Sequence, residues 1–169
     1  MERTSLADVA EAAGVPVGNI YYYFKTKNDL VAAAVAAQSS ESTQLFQRLE
    51  RLGTPTERLH GLLDVLTEVG GSVAEYGCPL GTLSAELDKR NGTTASPESQ
   101  QLLVPMIDWA EQQFANLACA DARQQAITLI AAYEGAALLT HSLRDPDVLR
   151  SQMHQLHLRV DELSASLAH

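Results

Sequence analysis

TSLADVAEAAGVPVGNIYYYFKTKNDL, residues 4–30, is the stretch that decides how this chain folds. It opens on Ser5, whose hydroxyl can accept from the free amides of a helix start, with Asp8 placed three residues on to reach back. Gly14 suits the end of that helix, because glycine takes the left-handed backbone of a C-terminal cap without steric cost. Pro16 suits the first turn of the next one, where its missing N–H is not needed. The spacing predicts a helix, a tight turn over Ala13-Gly14-Val15, and a second helix over about 16–23. Thr26 with Asp29 repeats the cap signal and starts a long third helix running toward Leu52. Ile20-Tyr21-Tyr22-Tyr23-Phe24 is β-prone by composition, but caps frame it too closely for a strand.

Two short helices joined by a glycine-containing turn form a helix-turn-helix, the unit that lays its second helix in the DNA major groove. Charge limits where such contact can occur. The 169 residues carry a net charge of −9. Residues 1–30 hold Arg3, Lys25 and Lys27 against Glu2, Asp8, Glu11 and Asp29, three cations against four acids and so −1, which leaves −8 on residues 31–169. Phosphate affinity rests on Lys and Arg. DNA contact is therefore expected of the head alone.

The remainder reads as an all-α body. With 46% hydrophobic and 20% charged residues the chain can bury a core and is not disordered. Gly53-Thr54-Pro55 breaks the third helix. Leu59, Leu62, Leu66, Val69 and Val73 then form one helical face. Breaks follow at Gly77–Gly81 and in a polar loop, Asn91 to Pro97, long enough to be mobile. Leu103, Met106, Ala110, Phe114 and Leu117 mark another helix. Ala122 to Leu143 is apolar nearly all round, and is expected to be buried on more than one side. Leu149, Met153, Leu156, Val160, Leu163 and Leu167 form a seam at spacings of three and four residues. With the Ala126–Leu143 helix, this seam is expected to build a four-helix bundle across a dimer axis. The organisation expected is a head over residues 1–30 and a body over 31–169.

Several classes are disfavoured. No apolar run reaches the roughly 18 residues of a membrane span; the longest, Ala126 to Leu139, is interrupted by Thr128, Glu134 and Gly135. No signal peptide is visible. Cys78 and Cys119 form no CxxC pair, and no His/Cys cluster has metal spacing. Paired acids, a nucleophile–base set and a phosphate loop are lacking. The expectation is a cytoplasmic protein without metal, cofactor, membrane contact or enzymatic activity.

Residues 4–30 resemble the signature of the tetracycline-repressor (TetR) family, a TSxxDIAxxAGVSxGxLYxYFxxKxxL-like string met at nearly every fixed position. The resemblance implies a homodimeric regulator that represses from a palindromic operator in double-stranded DNA and is released by a small, largely apolar inducer. It implies DNA contacts from Ser5, Val17, Gly18, Asn19, Tyr21, Tyr22 and Lys27. Asn19 is the expected base reader, since its amide both donates and accepts. Val9, Ala10, Ala13, Ile20 and Phe24 are expected to form the small core of the head; Tyr23 is open to either role. The family carries a further helix before this segment, whereas only Met1-Glu2-Arg3 precede it here. The head is thus expected to be incomplete, leaving Val9 and Phe24 partly uncovered and operator binding weakened.

In the body, the resemblance implies an inducer pocket among the middle helices, with Leu66, Leu83, Met106, Trp109, Phe114 and Tyr133 as candidate lining and His60, Glu86 and His141 as candidate polar anchors. Cys78 precedes a helix start, where a thiol pKa falls, in a segment similar to that of electrophile-responsive members. Cys78 is therefore a candidate redox residue. Two alternatives stand beside the inducer-released repressor: a redox-sensing repressor acting through Cys78, and a helical binding module with impaired DNA binding.

Overall fold

The computed structural model describes residues 4–91, 94 and 96–167, with only the backbone of Arg90 and Asn91. Among the described residues there are nine helices and no strand. The chain divides into two compact units, Met1–Ser40 and Glu41–His169.

In the first unit, α1 (Leu6–Ala12) starts on a reciprocal cap: the Asp8 N–H donates to Ser5 Oγ at 3.2 Å, and the Ser5 N–H donates to Asp8 Oδ2 at 2.6 Å. Those bonds favour the ionised acid and hold the Asp8 carboxyl below its ordinary range. Gly14, at φ +65°, closes the helix, and the Val15 N–H returns to the Ala10 carbonyl at 3.0 Å. Helix α2 (Val17–Tyr23) follows directly and packs on α1. Leu6 and Ala10 are buried, and Val9, Ile20 and Phe24 half-buried. Ala13 departs from expectation: it sits in the turn and is exposed, because the helix has ended before its side chain can face inward. Thr26 and Asp29 cap α3 (Lys27–Leu49), with the Thr26 N–H to Asp29 Oδ2 at 2.8 Å and the Asp29 N–H to Thr26 Oγ1 at 3.1 Å. The unit boundary falls within this helix.

The second unit contains α4 (Pro55–Glu68), α5 (Gly70–Tyr76), α6 (Pro79–Asn91), α7 (Pro97–Asn116), α8 (Ala122–Leu143) and α9 (Pro146–Leu167). The expected Asn91–Pro97 loop falls largely outside the described residues. The continuous face expected from Leu59 to Val73 is two helices, broken at Val69. Two glycines in succession weaken a helix. Gly70 is also buried, and a Cβ on it would meet Leu149 Cδ2 at 3.7 Å, so the break lets α9 approach closely.

Leu59, Leu62 and Leu63 of α4, Leu102 and Phe114 of α7, Ala126 and Leu129 of α8, and Leu149, Met153 and Val160 of α9 form the core. Leu149, Met153, Leu156 and Val160 of the α9 seam are spent inside the chain, against α4, α5 and α8, whereas Leu163 is half-buried and Leu167 is exposed. Helix α8 shows the complementary departure. Its stripe through Ala126, Ile130, Tyr133, Ala137 and Thr140 is buried, whereas Leu138 (66% exposed), Leu139 (53%) and Leu143 (63%) are open. By length and mean hydropathy α8 could cross a membrane; its buried stripe and its packing on α5, α7 and α9 are those of a core helix.

Candidate nucleic-acid interface and sensor body

Helix α2 buries none of its residues. Val17 is 43% exposed, Tyr21 47% and Tyr22 73%, and Asn19 is exposed with them. Among the described residues, this seven-residue helix leaves a valine and three tyrosines open to water. Tyr23 is exposed like Tyr22, which settles it as surface, and the two rings meet edge to face at 5.0 Å. Gly18 has an ordinary helical backbone, and nothing lies within 4 Å of where its Cβ would stand. Lys27 is exposed at the start of α3. Ser5 spends its hydroxyl on the α1 cap. The sequence reading missed Lys25, whose Nζ donates to the carbonyls of Tyr21 at 2.9 Å and Tyr22 at 3.3 Å and so satisfies the C-terminal end of α2. Its position just past the helix was the available signal.

In the body, Leu66, Met106, Phe114 and Tyr133 are buried and Leu83 and Trp109 half-buried, spread over α4, α6, α7 and α8. Trp109 is held at one place: its ring stacks on Phe46 at 5.2 Å, and Nε1 donates to Glu50 Oε1 at 2.8 Å. The same carboxylate takes the Gln113 amide at 2.9 Å and pairs with Arg58 at 2.9 Å. Phe114 borders a crevice of about 10 Å³ with Leu129, Leu156 and Val160, room for one water at most. Two open grooves are larger. One of about 500 Å³ runs past Asp64, Glu68, Gly70, Pro146 and Arg150. The other, of about 430 Å³, runs past Thr128, Ala132, Gln155, Leu158 and Glu162. The six lining candidates border neither. Of the proposed anchors, Glu86 is paired with Lys89 at 2.6 Å, His141 contacts Arg144 at 3.0 Å, and His60 contacts His157.

Cys78 is a buried thiol with three partners. It donates to Glu134 Oε1 at 3.4 Å and accepts from the Tyr133 hydroxyl at 3.5 Å and from the Gly81 amide of the α6 start. Burial first, then the Glu134 charge, pushes its pKa up, overriding the helix-start effect expected from the sequence. Burial and a raised pKa both disfavour the thiolate at Cys78. Glu134 is itself pushed up by burial, as is the Tyr133 hydroxyl. Glu134 entered the sequence reading only as an interruption of an apolar run; a lone acid in such a helix was the signal.

Head and fold together define an all-α chain that opens on a helix-turn-helix. Residues 1–34 match the family model described as bacterial regulatory proteins, tetR family. Among solved structures the chain is similar to a TetR transcriptional regulator from Legionella pneumophila, with a TM-score of 0.75 and 17% identity, over 95% of this chain and 86% of that one. No curated protein matches. Residues 1–34 thus carry a head sequence of the TetR type, and the chain as a whole shares the fold of the Legionella regulator.

Proposed function

We propose that two copies of this chain associate through α8, place one α2 each in successive major grooves of a palindromic operator, and repress transcription in the cytoplasm until a small molecule binds the body. The observation that carries the reading is the α2 surface, where Val17, Asn19, Tyr21 and Tyr22 stand exposed around an unobstructed Gly18. The amide of Asn19 suits an adenine edge, the tyrosine hydroxyls suit phosphate, and the Val17 methyls suit a thymine methyl. Lys27 supplies a phosphate contact. One short helix reads only a few base pairs, so a two-fold pair about 34 Å apart is the arrangement that yields specificity. The open leucines of α8, with Leu158 of α9 44% exposed, give a second copy an apolar face to cover.

Support for the inducer is the buried apolar interior shared by α4, α7 and α8. A redox reading through Cys78 has weaker support, because the thiol is buried and its pKa raised. The test is an electrophoretic shift with DNA from the region upstream of the protein's own gene. A discrete complex, dissolved by a subset of added small apolar molecules, is expected. Absence of a complex at low salt would leave the chain a helical binding module.

A further inference from the structure

His60 of α4, a candidate inducer anchor by sequence, faces His157 of α9. Their Nδ1 atoms stand 2.6 Å apart, the ring planes differ by 7°, and the ring centres lie 4.8 Å apart. With nitrogens that close, so wide a separation of centres puts the rings edge to edge in one plane, nitrogen facing nitrogen. The far nitrogens meet carboxylates: His60 Nε2 is 2.8 Å from Asp161 Oδ1, and His157 Nε2 is 3.4 Å from Asp64 Oδ1. The chain Asp64–His157–His60–Asp161 therefore crosses from α4 to α9 at every link.

Proton counting fixes what this chain holds. Two facing lone pairs at 2.6 Å repel, and two facing N–H groups collide, so one proton lies between the Nδ1 atoms. Each Nε2 facing a carboxylate carries another. Three ring protons make one imidazolium hydrogen-bonded to one neutral imidazole, a single positive charge between two negative ones. A fourth proton has only the occupied gap to enter.

We propose that His60 and His157 form a proton-operated clasp between α4 and α9, closed by three ring protons and forced apart by the fourth. A fall in pH then loosens these two helices, an input to the body separate from any ligand. The charges acting on His157 come from His60 and Asp64 on α4 and from Asp161 and His154 on α9; α5, α7 and α8, which also pack on these helices, contribute none of them. Burial and the His60 charge together outweigh the two acids and hold His157 below the ordinary histidine range. The unfolded chain thus takes up the fourth proton more readily than the folded one. The fourth proton costs nothing well above the unfolded histidine value of about 6.5, and its penalty grows as pH falls below that value.

The experiment is a histidine-ring NMR titration of the full chain between pH 8 and 5. It is paired with thermal melts of the wild type, His60→Gln and His157→Gln. The pair is expected to titrate as a unit in two separated steps, with α4 and α9 amides shifting in the lower step. Between pH 7.5 and 5.5 the wild-type melting temperature is expected to fall by about 3 °C more than that of either variant, on the size scaling for a chain this long. Independent titration of both rings at the ordinary value, or equal falls in all three proteins, overturns the clasp. If neither variant folds, the wild-type titration alone decides. No DNA enters the assay, so its outcome is separate from that of the operator reading.

Discussion

Gly18 gives the sharpest mutational test of the interface. A glycine inside an exposed helix costs roughly 0.5–1 kcal/mol relative to alanine, through backbone entropy. Here the cost has no internal reason: the backbone is helical, and a Cβ would meet nothing within 4 Å. On the proposed reading the reason is the DNA, for which Gly18 leaves room beside Val17 and Asn19. Gly18→Ala is expected to raise resistance to denaturant by about that 0.5–1 kcal/mol while weakening operator binding. Gly18→Leu fills the gap further. Overpacking of a close interface costs about 1–3 kcal/mol, which corresponds to a roughly 5- to 150-fold higher Kd. Urea melts and fluorescence anisotropy at one fixed salt concentration measure the two effects. Operator affinity unchanged in Gly18→Leu, in protein that melts like the wild type, would refute the reasoning.

Other substitutions probe the remaining contacts. Lys27→Gln, if Lys27 meets phosphate, lowers the slope of log K against log salt by about 1 per chain and weakens all DNA sequences alike; an unchanged slope removes Lys27 from the interface. Leu139→Glu places a charge on the open face of α8 and is expected to turn a dimer into a folded monomer by light scattering. A dimer that survives it lies elsewhere. Glu134→Gln relieves a carboxyl whose pKa burial raises. Because the folded pKa lies above the unfolded one, that carboxyl costs stability increasingly as pH rises through the folded value. The variant is expected to gain on the order of 1 kcal/mol at pH 8 and nothing at pH 4, read from denaturant melts; a loss at pH 8 would show that the charge is needed.

Much of the fold was legible because its signals are local. Ser5 with Asp8, Gly14, and Thr26 with Asp29 each fix a helix end through nearby groups, and each does so in the structure, whereas Pro16 stands just before α2 and not in its first turn. What escaped depends on which side of a helix meets what. The α9 seam has the period of a coiled coil whether its partner is α4 or a second chain, so periodicity alone could not place it. The α8 helix was apolar all round, yet only packing shows that Leu138, Leu139 and Leu143 lie off its buried stripe. Long-range polar pairs left no trace in spacing: His60 and His157 are 97 residues apart, and Glu50 and Gln113 63. The direction of the Cys78 pKa was hidden for a related reason. The residue's place before a helix was visible, but the burial and the Glu134 charge that outweigh the helix start come from α8.

The central claim is that α2 reads a DNA sequence as one half of a two-fold pair. The most direct test is anisotropy at a fixed near-physiological salt concentration, with a palindrome from the protein's upstream region beside its scrambled counterpart. The expected result is two chains per duplex and a preference of at least about 10³-fold, falling by an order of magnitude or more in Asn19→Ala as a bidentate base contact is lost. Equal affinity for palindrome and scrambled DNA, or a preference untouched by Asn19→Ala and Tyr22→Ala, would contradict it.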